Sequence, residues 1–131
     1  MKTSELTGAA LDWAVAKAEG LLEPKEFFGK MVSSVVLDME YWTDGTPMVR
    51  LNPCPDVYYS AYYTPSTDWA QGGPIIESEG IGFTQFSDYP QWTAKHPQAI
   101  CFDGPTPLIA AMRCYVASKL GAEVEVPDEL Q

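Results

Sequence analysis

The segment Tyr62-Tyr63-Thr64-Pro65-Ser66-Thr67-Asp68-Trp69-Ala70-Gln71-Gly72-Gly73-Pro74 gathers residue types suited to holding a small molecule. Trp69 offers an indole face to a flat ring, Gly72 and Gly73 leave peptide N–H groups open to close approach, and Tyr62, Tyr63, Asp68 and Gln71 supply polar tips. The chain's two arginines, Arg50 and Arg113, can offset an anionic group with a planar five-donor fork. Together these residues predict a site for a small nucleotide-like ligand. As a phosphate loop the Gly72-Gly73 pair is a weak signal, because no Lys-Ser/Thr follows and the G-x-G-x-x-G spacing is missing.

Catalytic patterns are poorer. His96 is the single histidine, and its spacing from Cys101 permits a thiol–imidazole pair across a hairpin, but no third group is at hand to orient it. Cys54, Cys101 and Cys114 are odd in number and widely spaced, which fits reduced thiols better than disulfides or a zinc knuckle. The carboxylate pairs Asp38 and Glu40, and Glu77 and Glu79, have the alternation of solvated side chains rather than of an acid–base couple. The expectation is a non-enzymatic protein with no cofactor and no metal.

The elements that must position these groups follow from periodicity and punctuation. Thr7 as cap and Gly20 as stop bracket a helix whose Leu11, Ala14, Val15, Ala18 and Leu22 form a buried stripe, with Asp12, Lys17 and Glu19 largely off it and Trp13 at its edge. This face is expected to pack on a sheet. Pro24 opens a short helical turn through Phe27 and Phe28, and Val35 to Trp42 reads as a strand joined by an Asp44-Gly45 turn to Met48–Leu51. Asn52-Pro53-Cys54-Pro55-Asp56 is a loop. Four tyrosines between Tyr58 and Tyr63 suit either a pocket wall or a strand whose alternate rings cover the sheet.

Ser66, Thr67 and Asp68 are competent starters of a short or kinked helix, with Pro74 in its first turn and Gly80 as its stop. Ile81–Phe86, Trp92–Lys95 and Ala99–Phe102 fit an antiparallel meander, with turns at Ser87-Asp88-Tyr89-Pro90 and at His96-Pro97-Gln98, which makes His96 a solvated turn residue. A final helix runs from Thr106 as cap and Pro107 in first position to Gly121. Leu108, Ile109, Met112, Tyr115, Val116, Lys119 and Leu120 line its broad buried face. Arg113 lies off the centre of that face, where pairing with a carboxylate is its ordinary role and a ligand anion the alternative. Glu123–Pro127 adds a brief edge strand before an acidic, loose tail from about residue 127.

At 131 residues the chain is long enough for one core and too short for several, so residues 1–131 are read as a single α+β domain: an antiparallel sheet packed by N-terminal, kinked middle and C-terminal helices. With 18 acidic against 8 basic residues, a net charge of −10 argues against direct nucleic-acid binding and anionic membranes. No apolar run is long enough to span a bilayer, and the start lacks a secretion signal. The cytosol is the expected location.

Ser66–Glu77 and Thr106–Ser118, with Leu6-Thr7-Gly8 and Leu11–Ala16, resemble the small tailed-phage NinX family. The resemblance covers the first helix and nearly the whole second half. It implies a phage or prophage accessory gene product acting in the host bacterial cytoplasm, and implies no particular reaction. By analogy it suggests capture of a small molecule such as a host defence signal, or engagement of a host protein. The acidic surface suits a basic protein partner, and the tyrosine-rich patch permits a homodimer.

Overall fold

A computed structural model describes residues 1–20, 24–27, 30–33, 35–41, 47–51, 61–85, 91–127 and 130, with the backbone alone described from 24 to 62. Helix α1, Gly8–Ala18, begins where Thr7 turns to extended backbone, although the Thr7 hydroxyl makes no capping bond. Gly20, at φ 77°, closes it in the left-handed region, and its N–H reaches the Lys17 carbonyl at 3.1 Å. Leu11, Ala14 and Val15 are buried as the stripe predicts, and Ala18 is half-buried; Leu22 lies outside the described residues. Asp12 is buried too, against expectation, because small Ala9 and Ala16 flank it at helical spacing and let neighbouring chain close over it.

The middle of the chain is built of antiparallel strands. Strand β1, Pro24–Phe27, pairs with β2, Lys30–Ser33, from Pro24↔Ser33 to Phe27↔Lys30. A helical turn at Pro24 is therefore incorrect: proline's fixed φ also suits the first residue of a strand, and the pairing with β2 decides between the two. Strand β3, Val35–Tyr41, pairs with β4, Pro47–Leu51, and β4 with β5, Ala61–Tyr62. The expected strands at Val35 and Met48 are present, with a register irregularity between Asp38 and Tyr41. Trp42, the Asp44-Gly45 turn, the Asn52–Asp56 loop, Tyr58 and Tyr59 lie outside the described residues.

Helix α2, Trp69–Glu79, starts at Asp68, whose carboxylate accepts from the Ala70 N–H at 2.9 Å. It ends at Gly80, φ 68°, with the Ile81 N–H reaching back to the Ile76 carbonyl at 3.1 Å. With Asp68 as the cap, Pro74 is the sixth residue of the helix and falls inside it, not in its first turn. Its missing N–H leaves the Ala70 carbonyl without a helical donor, at an exposed residue where water can serve.

Strands β6, Gly82–Gln85, β7, Trp92–His96, and β8, Ile100–Gly104, form the expected meander in the order β6-β7-β8. Residues 86–90, with the turn read at Ser87–Pro90, lie outside the described set. Helix α3, Pro107–Leu120, has Thr106 Oγ1 accepting from the Ile109 N–H at 3.1 Å, and Gly121 beyond its end. It packs on β6, β7 and β8, with α1 and α2 against it and α1 also touching β4. Gly104 is required there, since a Cβ would stand 2.7 Å from the Ala110 nitrogen.

Register places Phe83, Ala94, His96, Ile100 and Phe102 on the helix face and Thr93, Lys95, Cys101 and Asp103 on the other. His96 is consequently the last residue of β7, buried under the helix layer rather than solvated in a turn. The turn itself is Pro97–Ala99, with Ala99 at φ 64°. Lys119 is exposed at the end of α3 instead of belonging to its buried face. Glu123 makes a single bridge to Lys2 in place of an edge strand, while Val124 and Val126 join the core and half-buried Leu130 packs on it. The architecture is α+β, three helices with antiparallel sheets and a helix layer on one of them.

Candidate functional site

Arg113 enters the interior on the seventh residue of α3 and is only 8% exposed. Its Nε donates to the Leu6 carbonyl at 2.9 Å and its Nη1 to the Asp103 carbonyl at 2.7 Å, tying the N-terminal segment to β8. Both partners are main-chain oxygens. The expected pairing with a carboxylate is not made among the described residues; the Asp103 carboxylate, on the other face of the sheet, accepts from the Thr93 hydroxyl at 2.6 Å. Burial draws the Arg113 pKa down, yet a guanidinium keeps its proton near neutrality. Beside it opens a recess of about 490 Å³ lined by Ser4, Gln91, Cys101, Phe102, Asp103 and Arg113. A cationic fork, a hydroxyl and an amide next to a phenyl ring can hold an anion that carries a flat or apolar portion.

A second recess, of about 470 Å³, is lined by Glu19, Tyr63, Gln71, Pro74, Ile75 and Ser78. Gln71 reaches across it from α2, its Oε1 accepting from the Thr64 N–H at 2.7 Å. Tyr63 is buried at its wall, and burial first, with the charges of Glu19 and Asp12 adding to it, pushes its phenol well above the usual range. This recess is apolar on the Pro74–Ile75 side and electronegative on the Glu19 side.

The residues read from sequence as one site are thus divided. Tyr63 and Gln71 share the second recess and Arg113 lines the first. Arg50 and Tyr62 are backbone partners in β4 and β5, with their side chains outside the description. Asp68 is engaged as a helix cap. Trp69 is 50% exposed and meets Phe83 at 6.1 Å, which in turn meets Trp92 edge-on at 5.9 Å, so the indole belongs to a surface row of rings. Gly72 is a packing residue: a Cβ there would overlap the Pro65 carbonyl and stand 2.5 Å from Leu108 Cδ1. At Gly73 a Cβ would meet nothing within 4 Å.

Several polar groups escaped the sequence reading. Asp12 Oδ1 accepts from the Ser66 N–H at 2.9 Å, joining α1 to the approach to α2. Burial raises its pKa to about 6, against the opposing pull of the Ser66 hydroxyl and amide. Ser66 Oγ is buried near the carboxylate but makes no hydrogen bond of good geometry. The alanines flanking Asp12 were the available signal. His96 Nδ1 accepts from the Gln98 N–H at 3.1 Å, so Nε2 carries the proton toward Glu79 Oε1 at 3.4 Å, an oxygen also 3.6 Å from Lys119 Nζ. Since His96 and Cys101 lie on opposite faces of the hairpin, they do not form a thiol–imidazole pair. Cys114 is buried with its thiol directed to the Ala94 carbonyl at 3.2 Å, and burial pushes it up to about 11. Ser4, Gln91 and Cys101 come to the Arg113 recess from separate parts of the chain, and nothing in their local sequence announces it.

No curated protein matches the chain significantly. The family model described as Bacteriophage P22, NinX matches residues 2–119, which includes the strands between α1 and Tyr63 as well as the segments that carried the resemblance. The chain therefore belongs to the NinX family and is, at that level, a phage accessory protein.

Proposed function

We propose that this phage protein binds, without transforming, a small anionic ligand of nucleotide-like shape in the Arg113 recess, acting in the cytoplasm of the infected cell. The observation that carries the reading is a buried guanidinium bonded, among the described residues, only to carbonyls, beside an opening, in a chain of net charge −10. Burying a cation without a counter-charge is costly, and so many available carboxylates make its solitude informative. A phosphate or carboxylate supplies the missing charge in the geometry a guanidinium favours. The recess volume lies within the roughly 300–1,000 Å³ usual for small-molecule sites.

Calorimetry with a panel of mono- and dinucleotides, joined to mass spectrometry of molecules that co-purify, tests this reading. Exposed Cys101 on the rim provides a local reporter. A bound ligand slows its alkylation, and Gln91→Trp, which fills the recess while leaving Arg113 itself unchanged, abolishes any further slowing by added ligand. The reading fails if no nucleotide binds and no anion alters the alkylation rate of Cys101.

A protein-interaction role is favoured by a different observation, the exposed Trp69–Phe83 pair on an acidic molecule. A basic host protein that is captured in low salt, released in high salt and lost with Trp69→Ser would support it.

A further inference from the structure

We infer that the Tyr63 recess is a second binding site, which takes an alkylammonium group with its nitrogen toward Glu19 and its methylenes along Pro74 and Ile75. Glu19 occupies the C-cap of α1, so its carboxylate adds to the partial negative charge at that helix end. Among the described residues it has no ion pair; it accepts a hydrogen bond from the Tyr115 phenol, which burial and the Glu19 charge hold neutral, so its charge is left for a cation to balance.

Tyr63 supplies an independent observation. It is only 7% exposed, it lines the recess, and its hydroxyl has no hydrogen-bond partner among the described residues. That hydroxyl is not sealed from solvent, and where it opens onto the recess its oxygen can accept from an ammonium N–H. Because the phenol remains protonated, its ring keeps the electron-rich face that attracts an ammonium ion. Asp12 adds further negative potential at Tyr63. An anion would meet repulsion here from Glu19 and from the helix end, so this recess is distinct in chemistry from the one at Arg113. The Pro74 and Ile75 wall matches an alkyl chain rather than a hydrated metal ion.

The same group can arrive as a free amine or as a lysine side chain. Backbone amide shifts of the full chain, titrated with n-butylammonium, 1,4-diaminobutane and Nα-acetyl-lysine methylamide, separate these sources; n-butanol serves as the neutral control. The expected result is saturable shifts at Tyr63, Gln71, Ile75 and Ser78, with the butylammonium affinity at least 10-fold above that of n-butanol. Preference for diaminobutane identifies a free amine, and preference for the lysine derivative a protein segment. Glu19→Gln weakens the ammonium ion at least 5-fold, and Tyr63→Phe weakens it by about 2-fold. Glu77→Gln, an exposed change on α2 away from the lining, has no effect. Equal binding of alcohol and ammonium, equal losses with Glu19→Gln and Glu77→Gln, or no shifts at the recess would each overturn the assignment.

Discussion

The recesses at Arg113 and at Tyr63 are close in volume and opposite in electrical character. At the first, a cation sits buried among neutral oxygens. At the second, a carboxylate and a neutral phenol lie beside an apolar wall. The difference comes from the elements that deliver the charges. Helix α3 is buried from Leu108 and Ala110 through Val116, so any polar side chain in that run must find its partners inside. Glu19 instead caps the closed end of α1 at an exposed position, where its carboxylate accepts from the Tyr115 phenol and still reaches solvent. Net charge alone would not have predicted that one recess is lined by a buried cation and the other by an exposed carboxylate.

The sharpest way to break this contrast is Gly72→Ala. The added methyl must displace the Pro65 backbone or Leu108, separating α2 from α3 and deforming the wall at Pro74–Ser78. A loss of roughly 3 kcal/mol or more is expected, seen as a fall in Tm of about 10 °C. A melting temperature within 2 °C of the parent would show that the close helix contact is not needed.

Arg113→Lys comes next. A lysine retains the charge but cannot hold the Leu6 and Asp103 carbonyls as a rigid fork, so a loss of about 2 kcal/mol is expected in urea unfolding. Nucleotide affinity should fall at least 10-fold while butylammonium binding persists. Equal losses at both recesses would mean that the variant acts through general loosening.

Asp12→Asn refines the contrast through pH. The native carboxyl, with its pKa near 6 instead of 3.8, holds a proton that the unfolded chain has already released. Its contribution to stability is therefore complete below about pH 4 and is lost as the pH rises through 6, by up to ~3 kcal/mol. The asparagine variant removes this loss while keeping an oxygen for the Ser66 N–H. Unfolding at pH 4, 6 and 8 should give a stability gap in favour of the variant that opens with pH. Ammonium binding at pH 8 should weaken about 2-fold in the variant, with nucleotide binding unchanged.

The smallest effect is expected from Gly73→Ala. Open space at that position and the helix preference of alanine predict a gain of up to ~1 kcal/mol, with both recesses intact. A large loss would show that Gly73, like its neighbour, is held against something.

Much of the fold was legible because local chemistry and tertiary need agree. Thr106, Pro107 and Gly121 mark α3 at both ends, and the alternation along Trp92–His96 and Ile100–Gly104 reveals the hairpin. At Pro24–Phe27 they diverge, since the local residues permit two conformations and a partner strand chooses. The site was less legible. Trp69 and Gly72 attracted attention by type, but type does not separate a glycine that admits a ligand from one that admits Leu108. Arg113 was identified, whereas its environment was not: main-chain carbonyls carry no side-chain signature, and Ser4 and Gln91 join it only through folding. Asp12 was missed because a single carboxylate among apolar neighbours ordinarily turns outward.

Strand β8 ends the row β6-β7-β8, and the Arg113 guanidinium holds one of its outward carbonyls at Asp103. That bond blunts an open sheet border. Without it, the rim would offer a ready template to another copy of the chain, and strands from separate molecules would be free to line up along it. Variants that remove the arginine should accordingly fail in a recognisable way, by concentration-dependent association into β-rich aggregates, even while the rest of the molecule stays folded.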